Sequence, residues 1–120
     1  MPTTVDRDGR IVTITFNDPA SGNRLTPEVL AHLAGVVGEL VDDPDAQVVI
    51  ITGTGSEFFS SGILSPAIRK ELAKDEIVRL VLQANRLYDT IEALPQIVIA
   101  AFNGEARAGA AEMSLACDIR

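Results

Sequence analysis

Two short runs of β-branched residues, separated by a helical pattern, constrain the fold of this chain more than any other feature. The runs are QVVIITGTG at 47–55 and QIVIAAF at 96–102, and each is typical of a strand that is buried on both faces. Between them lies a helical pattern that begins near Asp75 and that Pro95 ends. Strands that alternate with helices predict an α/β fold in which the strands run parallel.

Turn and cap signals place the other elements. Asp-Gly at 8–9 predicts a hairpin turn, and the run IVTITF that follows alternates bulky apolar residues with Thr. Thr26 is a typical N-cap, so the apolar spacing after it predicts an amphipathic helix over 27–41. The stretches after the two buried strands are predicted to be loops, and a last helix is expected over 109–117. The residues CDIR at 117–120 resemble the start of a further strand.

Charge and composition exclude several classes of function. The formal net charge is −7, which argues against a surface for nucleic acid or for an anionic membrane. One Cys and one His exclude an intrachain disulfide and disfavour a metal site. The apolar runs fall far short of the roughly 20 residues of a membrane helix, and the first residues lack a signal-peptide pattern. We therefore expect a cytoplasmic protein that binds no metal, membrane or nucleic acid.

The two loops that follow the buried strands have the same design. Gly62 lies in the first loop, and Gly104 and Gly109 lie in the second. Because parallel strands end at one edge of the sheet, both loops are expected where α/β proteins bind their ligands. Two backbone N–H groups could converge there on one oxygen as an oxyanion hole, with one of them at the start of the last helix. The first loop lacks the residues of a dinucleotide fingerprint or of a P-loop, so nucleotide binding is not predicted.

Glu112 is the residue in this region whose charge most needs an explanation. It lies one turn into the last predicted helix, and none of its neighbours three or four places away carries a positive charge. A carboxylate without an ion-pair partner can exchange a proton with a substrate or with water. The alternative is that Glu112 is an ordinary solvated helix residue, since exposed Glu is the norm.

Three stretches, VVIITGTGSEFFSSGI, IEALPQIVIAAFNG and GAAEMSLACDIR, resemble the enoyl-CoA hydratase/isomerase (crotonase) superfamily. The resemblance implies a crotonase-like spiral of repeated β-β-α units, of which residues 1–120 would be the N-terminal portion without the C-terminal half. It implies an enzyme of acyl-CoA and fatty acid metabolism that hydrates or isomerises a 2-enoyl thioester, a lyase or isomerase. Coenzyme A would be part of the substrate, with no further cofactor, and the full-length form would be a homo-oligomer, a trimer or a hexamer.

The resemblance also implies roles for particular residues. The backbone amides of Ile63 and Gly109 would hold the thioester carbonyl and stabilise an enolate, and Glu112 would match a catalytic glutamate. Substrate-binding roles fall on the residues around the two loops, namely Arg24, Ser61, Gly62, Leu64 and Arg107. Arg24 is interpreted as a phosphate contact, and Arg107 as a residue that could meet a carboxylate of the substrate.

Other functions stay open beside this one. The family usually has Asp where this chain has Leu64, and Arg107 occupies a place that is usually apolar. These differences suggest a second hypothesis, a crotonase-like hydrolase or decarboxylase that cleaves a thioester or C–C bond. A third hypothesis is a non-catalytic partial subunit that assembles with a partner. In the least specific interpretation, the glycines serve only turns and a helix start, and Arg107 is a surface side chain.

Overall fold

The computed structural model describes residues 2–120, and the chain forms three successive β-β-α units within them. The first unit ends in one helix, the second in two helices and the third in one short helix. In chain order the elements are β1 (Thr3–Asp8), β2 (Ile11–Phe16), α1 (Pro27–Leu40), β3 (Val48–Gly53), β4 (Phe58–Ser60), α2 (Pro66–Glu71), α3 (Lys74–Ala93), β5 (Ile97–Ala100), β6 (Glu105–Ala106) and α4 (Gly109–Leu115). The α/β class predicted from the sequence is confirmed.

A four-stranded sheet in the order β1-β2-β3-β5 forms the framework. The hairpin strands β1 and β2 are antiparallel, whereas β2, β3 and β5 are parallel to one another. The register places Val12 beside Val49 and Val49 beside Val98, so β-branched side chains line up across the sheet. Parallel alignment puts the carboxyl ends of β3 and β5 at the same edge, as the alternation of strands and helices predicted.

The core lies between this sheet and the inner faces of α1 and α3, which pack on each other. Thr26 caps α1, because its hydroxyl accepts a hydrogen bond from the N–H of Val29 at 3.2 Å. The buried apolar side chains of this layer are Val12, Ile14, Phe16, Leu30, Leu33, Val37, Val49, Ile51, Leu80, Leu87, Ile91 and Val98. The apolar spacing of α3 buries Leu80, Ala84, Leu87, Tyr88 and Ile91, whereas Ile77 is half-buried and Val81 is 40% exposed.

Three elements lie where the sequence predicted only loops. The short strands β4 and β6 pair in parallel as a second sheet, and α2 follows β4. Two or three residues are too few to show the alternation by which a strand is predicted. The start of α2 does carry a signal that the prediction overlooked, because Ser65 is its N-cap and accepts a hydrogen bond from Ile68 N–H at 3.2 Å.

Two asparagine side chains hold the turn that joins β3 to β4. The Asn23 amide donates to the carbonyls of Thr54 and Phe58 at 3.0 and 2.9 Å. The Asn103 amide donates to the carbonyls of Gly55 and Phe58, both at 2.9 Å. Because one asparagine precedes α1 and the other follows β5, this turn is tied to both neighbouring units of the fold. The position of β4, and of the loop after it, is thereby fixed.

The last residues pair with the sheet as the sequence predicted. Ile119 forms a parallel bridge with Ile99 of β5, and its carbonyl accepts a hydrogen bond from the N–H of Ala100 at 2.8 Å. The side chain of Asp118 accepts a further bond from Val98 N–H at 2.8 Å. Within residues 2–120 no helix combines the length and the apolarity needed to cross a membrane.

Candidate active site

The two glycine-bearing loops meet at the carboxyl edge of the main sheet. Gly62, with φ 95°, has its backbone against the second loop, and a Cβ built on it would lie 2.6 Å from the Arg107 carbonyl oxygen. The same Cβ would lie 3.2 Å from the backbone nitrogen of Gly109. A side chain at position 62 would push the loops apart. The close approach that was predicted from parallel strands is therefore present, and it depends on glycine at this point.

Gly109 begins α4 and is enclosed by two side chains. A Cβ built on Gly109 would lie 2.6 Å from Cδ1 of Ile63 and 3.2 Å from the hydroxyl of Tyr88. A side chain at this position would have to displace Ile63. Ile63 itself is 6% exposed, so the first loop reaches the start of α4 through a buried contact.

Neither the N–H of Ile63 nor that of Gly109 donates a hydrogen bond to another group of residues 2–120. The intervening N–H of Gly62 differs, because it donates to the hydroxyl of Ser60 at 3.1 Å. Two donors without protein partners therefore stand on the two loops where these meet. Both residues line one cleft, of about 220 Å³, between α3, α4 and the first loop.

Glu112 lies in the same cleft, on the first turn of α4. Its side chain is exposed and forms neither an ion pair nor a hydrogen bond with any group of residues 2–120. The carboxylate is thus open to a ligand or to water. The rest of the cleft is lined by Ile63, Leu64, Arg69, Val81, Ala84, Asn85, Tyr88, Ala108 and Gly109.

Tyr88 is a member of this cleft that the sequence did not single out as functional. It projects from α3, is 9% exposed and donates a hydrogen bond from its hydroxyl to the Gly109 carbonyl at 2.7 Å. Burial raises the pKa of the Tyr88 phenol above its ordinary value, and the carboxylate of Glu112 raises it further. The sequence did contain a signal, since Tyr88 stands on the apolar face of a helix. A phenol buried there needs a polar partner, which indicates a hydrogen bond to another element.

A second cleft, of about 360 Å³, adjoins the first. It carries two guanidinium groups, those of Arg24 and Arg107, and three hydroxyls from serine side chains. Arg107 lies 4.9 Å from the centroid of the Phe58 ring and forms an exposed ion pair with Glu105 at 2.6 Å. Nε of Arg24 has no partner among the groups of residues 2–120. The lining residues are Ser21, Arg24, Ser61, Leu64, Ser65, Pro66, Ile68, Arg107 and Ala108.

All eight residues predicted for the site lie in or beside these two clefts. Ile63, Gly109 and Glu112 line the first, Arg24, Ser61 and Arg107 line the second, and Leu64 belongs to both. Gly62 lies between the clefts at the crossing of the loops. Ala108, which was not predicted, is the other residue that the two clefts share.

Ala108 has a backbone conformation that side chains rarely adopt, with φ 46° and ψ −120°. Such a conformation costs about 1–3 kcal/mol in a residue other than glycine. It stands directly before Gly109 and its ψ angle turns the peptide group that carries the Gly109 N–H. Backbone strain is thus located at the peptide that presents one of the two free donors.

The sequence matches the family described as enoyl-CoA hydratase/isomerase over residues 6–120. The chain belongs to this family. Its structure superposes with a TM-score of 0.92 on the crystal structure of an enoyl-CoA hydratase from Bacillus anthracis, at 31% identity, over 98% of this chain and 46% of that one. The crotonase-like fold that the sequence stretches implied is confirmed.

Two hydratases are similar in sequence to nearly the whole of this chain. The short-chain-enoyl-CoA hydratase of Clostridium acetobutylicum is 32% identical over 97% of this chain and 44% of its own length. The (E)-benzylidenesuccinyl-CoA hydratase of Thauera aromatica is 32% identical over 100% of this chain and 46% of its own length. The chain therefore spans less than half the length of these relatives.

Proposed function

We propose that the protein containing this chain binds an acyl-CoA thioester and hydrates or isomerises a 2-enoyl thioester through an enolate. The observation that carries the proposal is the pair of free N–H groups, of Ile63 and Gly109, beside the unpaired carboxylate of Glu112. Membership of the enoyl-CoA hydratase/isomerase family and relatives named as hydratases support it.

In this proposal the two N–H groups act on the thioester carbonyl oxygen. Removal of a proton from the α-carbon, or addition of water at the β-carbon, places negative charge on that oxygen. Donors that are already in position stabilise this charge, and loss of one such donor typically lowers kcat by about 10²–10³-fold. The close approach of the loops at Gly62 and Gly109 supports an arrangement in which both donors reach one atom.

Glu112 is the group that moves the proton. In hydration, water adds across the C=C bond, so that a hydroxyl joins the β-carbon and a proton joins the α-carbon. In isomerisation, a proton leaves one carbon and returns to another. Both reactions need a carboxylate that can reach substrate or water. The open position of Glu112 and its lack of ion-pair partners within residues 2–120 meet that need.

The second cleft suits the phosphorylated part of coenzyme A. Arg24 and Arg107 supply positive charge and the serine side chains supply hydroxyls, which are groups that bind phosphate. Because both clefts are lined by Leu64 and Ala108, a thioester could lie with its carbonyl in the first and its phosphates toward the second. The exposed Glu105–Arg107 pair is worth no more than about 1 kcal/mol, so a phosphate can replace it.

A direct test is to supply the protein that contains this chain with a 2-enoyl-CoA and to identify the products. A 3-hydroxyacyl-CoA indicates hydration, and a shifted double bond indicates isomerisation. Release of free coenzyme A or of carbon dioxide would instead support the hydrolase or decarboxylase hypothesis, and binding without turnover would support the non-catalytic one. No affinity for any CoA thioester would contradict the proposal. The oligomeric state, the cytoplasmic location and the absence of a further cofactor stay predictions.

A further inference from the structure

The start of α4 is held by a hydrogen bond from a different helix. The Tyr88 hydroxyl, on α3, donates to the Gly109 carbonyl at 2.7 Å. Gly109 has no side chain of its own to fix its backbone, and glycine is the residue with the greatest backbone freedom. Besides the backbone hydrogen bonds of the first turn of α4, two contacts restrict it, this hydrogen bond on one side and the buried Ile63 side chain on the other.

The hydrogen bond also acts near the peptide that is under strain. Holding the Gly109 carbonyl restrains the backbone of Gly109, and the peptide before it is turned by the unusual conformation of Ala108. The carbonyl of the Ala108–Gly109 peptide accepts a hydrogen bond from the N–H of Glu112 at 3.0 Å. Release of the Gly109 carbonyl would leave that bond to resist rotation of the strained peptide toward a lower-energy conformation. The N–H of Gly109 would turn with that peptide, away from the position that the thioester carbonyl oxygen takes in the proposed function.

We infer that Tyr88 is a positioning residue, whose hydroxyl keeps the Gly109 N–H aimed into the cleft by holding the Gly109 carbonyl. The effect of this hydroxyl on kcat rests on the proposed function, whereas its effect on the direction of the Gly109 N–H does not. Tyr88 acts through Gly109 and exchanges no proton with the substrate. Its phenol is suited to this task, because burial and the nearby Glu112 keep it protonated and therefore a donor.

A merely structural role predicts a different result from a positioning role. If Tyr88 only fixes α3 against α4, loss of its hydroxyl lowers stability and leaves the direction of the Gly109 N–H and kcat unchanged. If Tyr88 positions the amide, loss of the hydroxyl lowers kcat and weakens the binding of an enolate analogue while KM stays close to wild type. The split between kcat and KM separates the two roles.

The test compares Tyr88→Phe with Thr90→Val in the protein that contains this chain. The Thr90 hydroxyl also donates to a backbone carbonyl, that of Arg86 at 2.9 Å, but within α3 and away from the cleft. We expect Tyr88→Phe to lower kcat about 10–100-fold, because small misplacements of a catalytic group have effects up to about 100-fold. Thr90→Val should keep the wild-type kcat. A folded Tyr88→Phe protein with the kcat of the wild type would overturn the inference.

A second readout does not depend on activity. Crystal structures of the wild type and of Tyr88→Phe give the direction of the Gly109 N–H in each protein. We expect the Ala108–Gly109 peptide to rotate in the variant, and an unchanged peptide would overturn the inference even if no substrate is found. Absence of turnover in the wild type would count against the proposed function alone. If Tyr88→Phe does not fold, Tyr88→Met is the second variant without a donor, since Met adapts to irregular spaces.

Discussion

Gly109 lies so close to Ile63 that a Cβ added to the glycine would stand 2.6 Å from Cδ1 of the isoleucine. This contact joins the loop after β4 to the start of α4, and it brings together the two residues whose N–H groups are free.

Gly109→Ala tests this contact. The added methyl has to displace Ile63, and overpacking of this kind typically destabilises a protein by about 1–3 kcal/mol. We expect the loss in the free energy of unfolding to shrink in the Ile63→Ala background, where the clashing atoms are gone. Chemical denaturation of both singles and the double variant measures the coupling. If Gly109→Ala lowers the free energy of unfolding equally in the wild type and in the Ile63→Ala background, Ile63 is not what excludes a side chain at position 109.

Ala108→Gly should make the protein more stable. Glycine adopts the conformation of Ala108, φ 46° and ψ −120°, without the strain of about 1–3 kcal/mol that alanine bears. Glycine also loses about 0.5–1 kcal/mol more on folding, so a net gain of about 1 kcal/mol is expected. The control is Ala111→Gly inside α4, which should lose about 1 kcal/mol. Thermal unfolding in which both variants are destabilised alike would contradict strain at Ala108.

The sequence revealed the meeting of the loops but not the way in which each is held. Runs of β-branched residues marked β3 and β5, and the rule for parallel strands then placed both following loops at one edge. The strands β4 and β6 were beyond prediction, because elements of two or three residues show no periodicity. Their positions follow from tertiary hydrogen bonds, above all those of Asn23 and Asn103.

The same limit applies within the candidate site. Glu112 could be found from its own surroundings, as a carboxylate without a neighbouring cation along its helix. For Tyr88 the sequence signalled only that a buried phenol needs a polar partner, because that partner lies 21 places further along the chain. Only the packing of α3 against the start of α4 brings the two together. The strain at Ala108 was likewise hidden, since alanine itself signals a relaxed helical or extended backbone.

The buried thiol of Cys117 should make the protein less stable in alkaline solution. Burial raises the pKa of Cys117 to about 11 from its ordinary value near 9, and Asp118 adds to the shift. A raised pKa in the folded protein contributes stability that is complete below pH 9 and is lost as the pH rises toward 11. We expect the free energy of unfolding to decline over this range in the wild type. Cys117→Ala should postpone the decline, and identical profiles would contradict this assignment.

Arg24 and Arg107 should contribute to binding through the phosphates of coenzyme A. Arg24→Gln and Arg107→Gln are each expected to weaken the binding of an acyl-CoA about 10–150-fold, because a hydrogen bond to a charged group is worth about 1.5–3 kcal/mol. An acyl-pantetheine, which lacks the phosphates, should bind both variants as it binds the wild type. Arg10→Gln, at the exposed hairpin turn, is the control. Calorimetry measures both affinities. If each variant loses as much affinity for the acyl-pantetheine as for the acyl-CoA, the arginines contact a part of the substrate other than the phosphates.

If Glu112 moves the proton while backbone amides hold the carbonyl, the turnover rate of a single variant will show it. Glu112→Gln keeps the size of the side chain and removes its acid–base function. In the protein that contains this chain, kcat with a 2-enoyl-CoA should fall about 10²–10⁴-fold, with little change in thioester affinity. Glu92→Gln, an exposed glutamate on α3, should leave kcat unchanged. If the folded Glu112→Gln protein turns over the 2-enoyl-CoA at the wild-type rate, Glu112 is a solvated helix residue and does not move the proton.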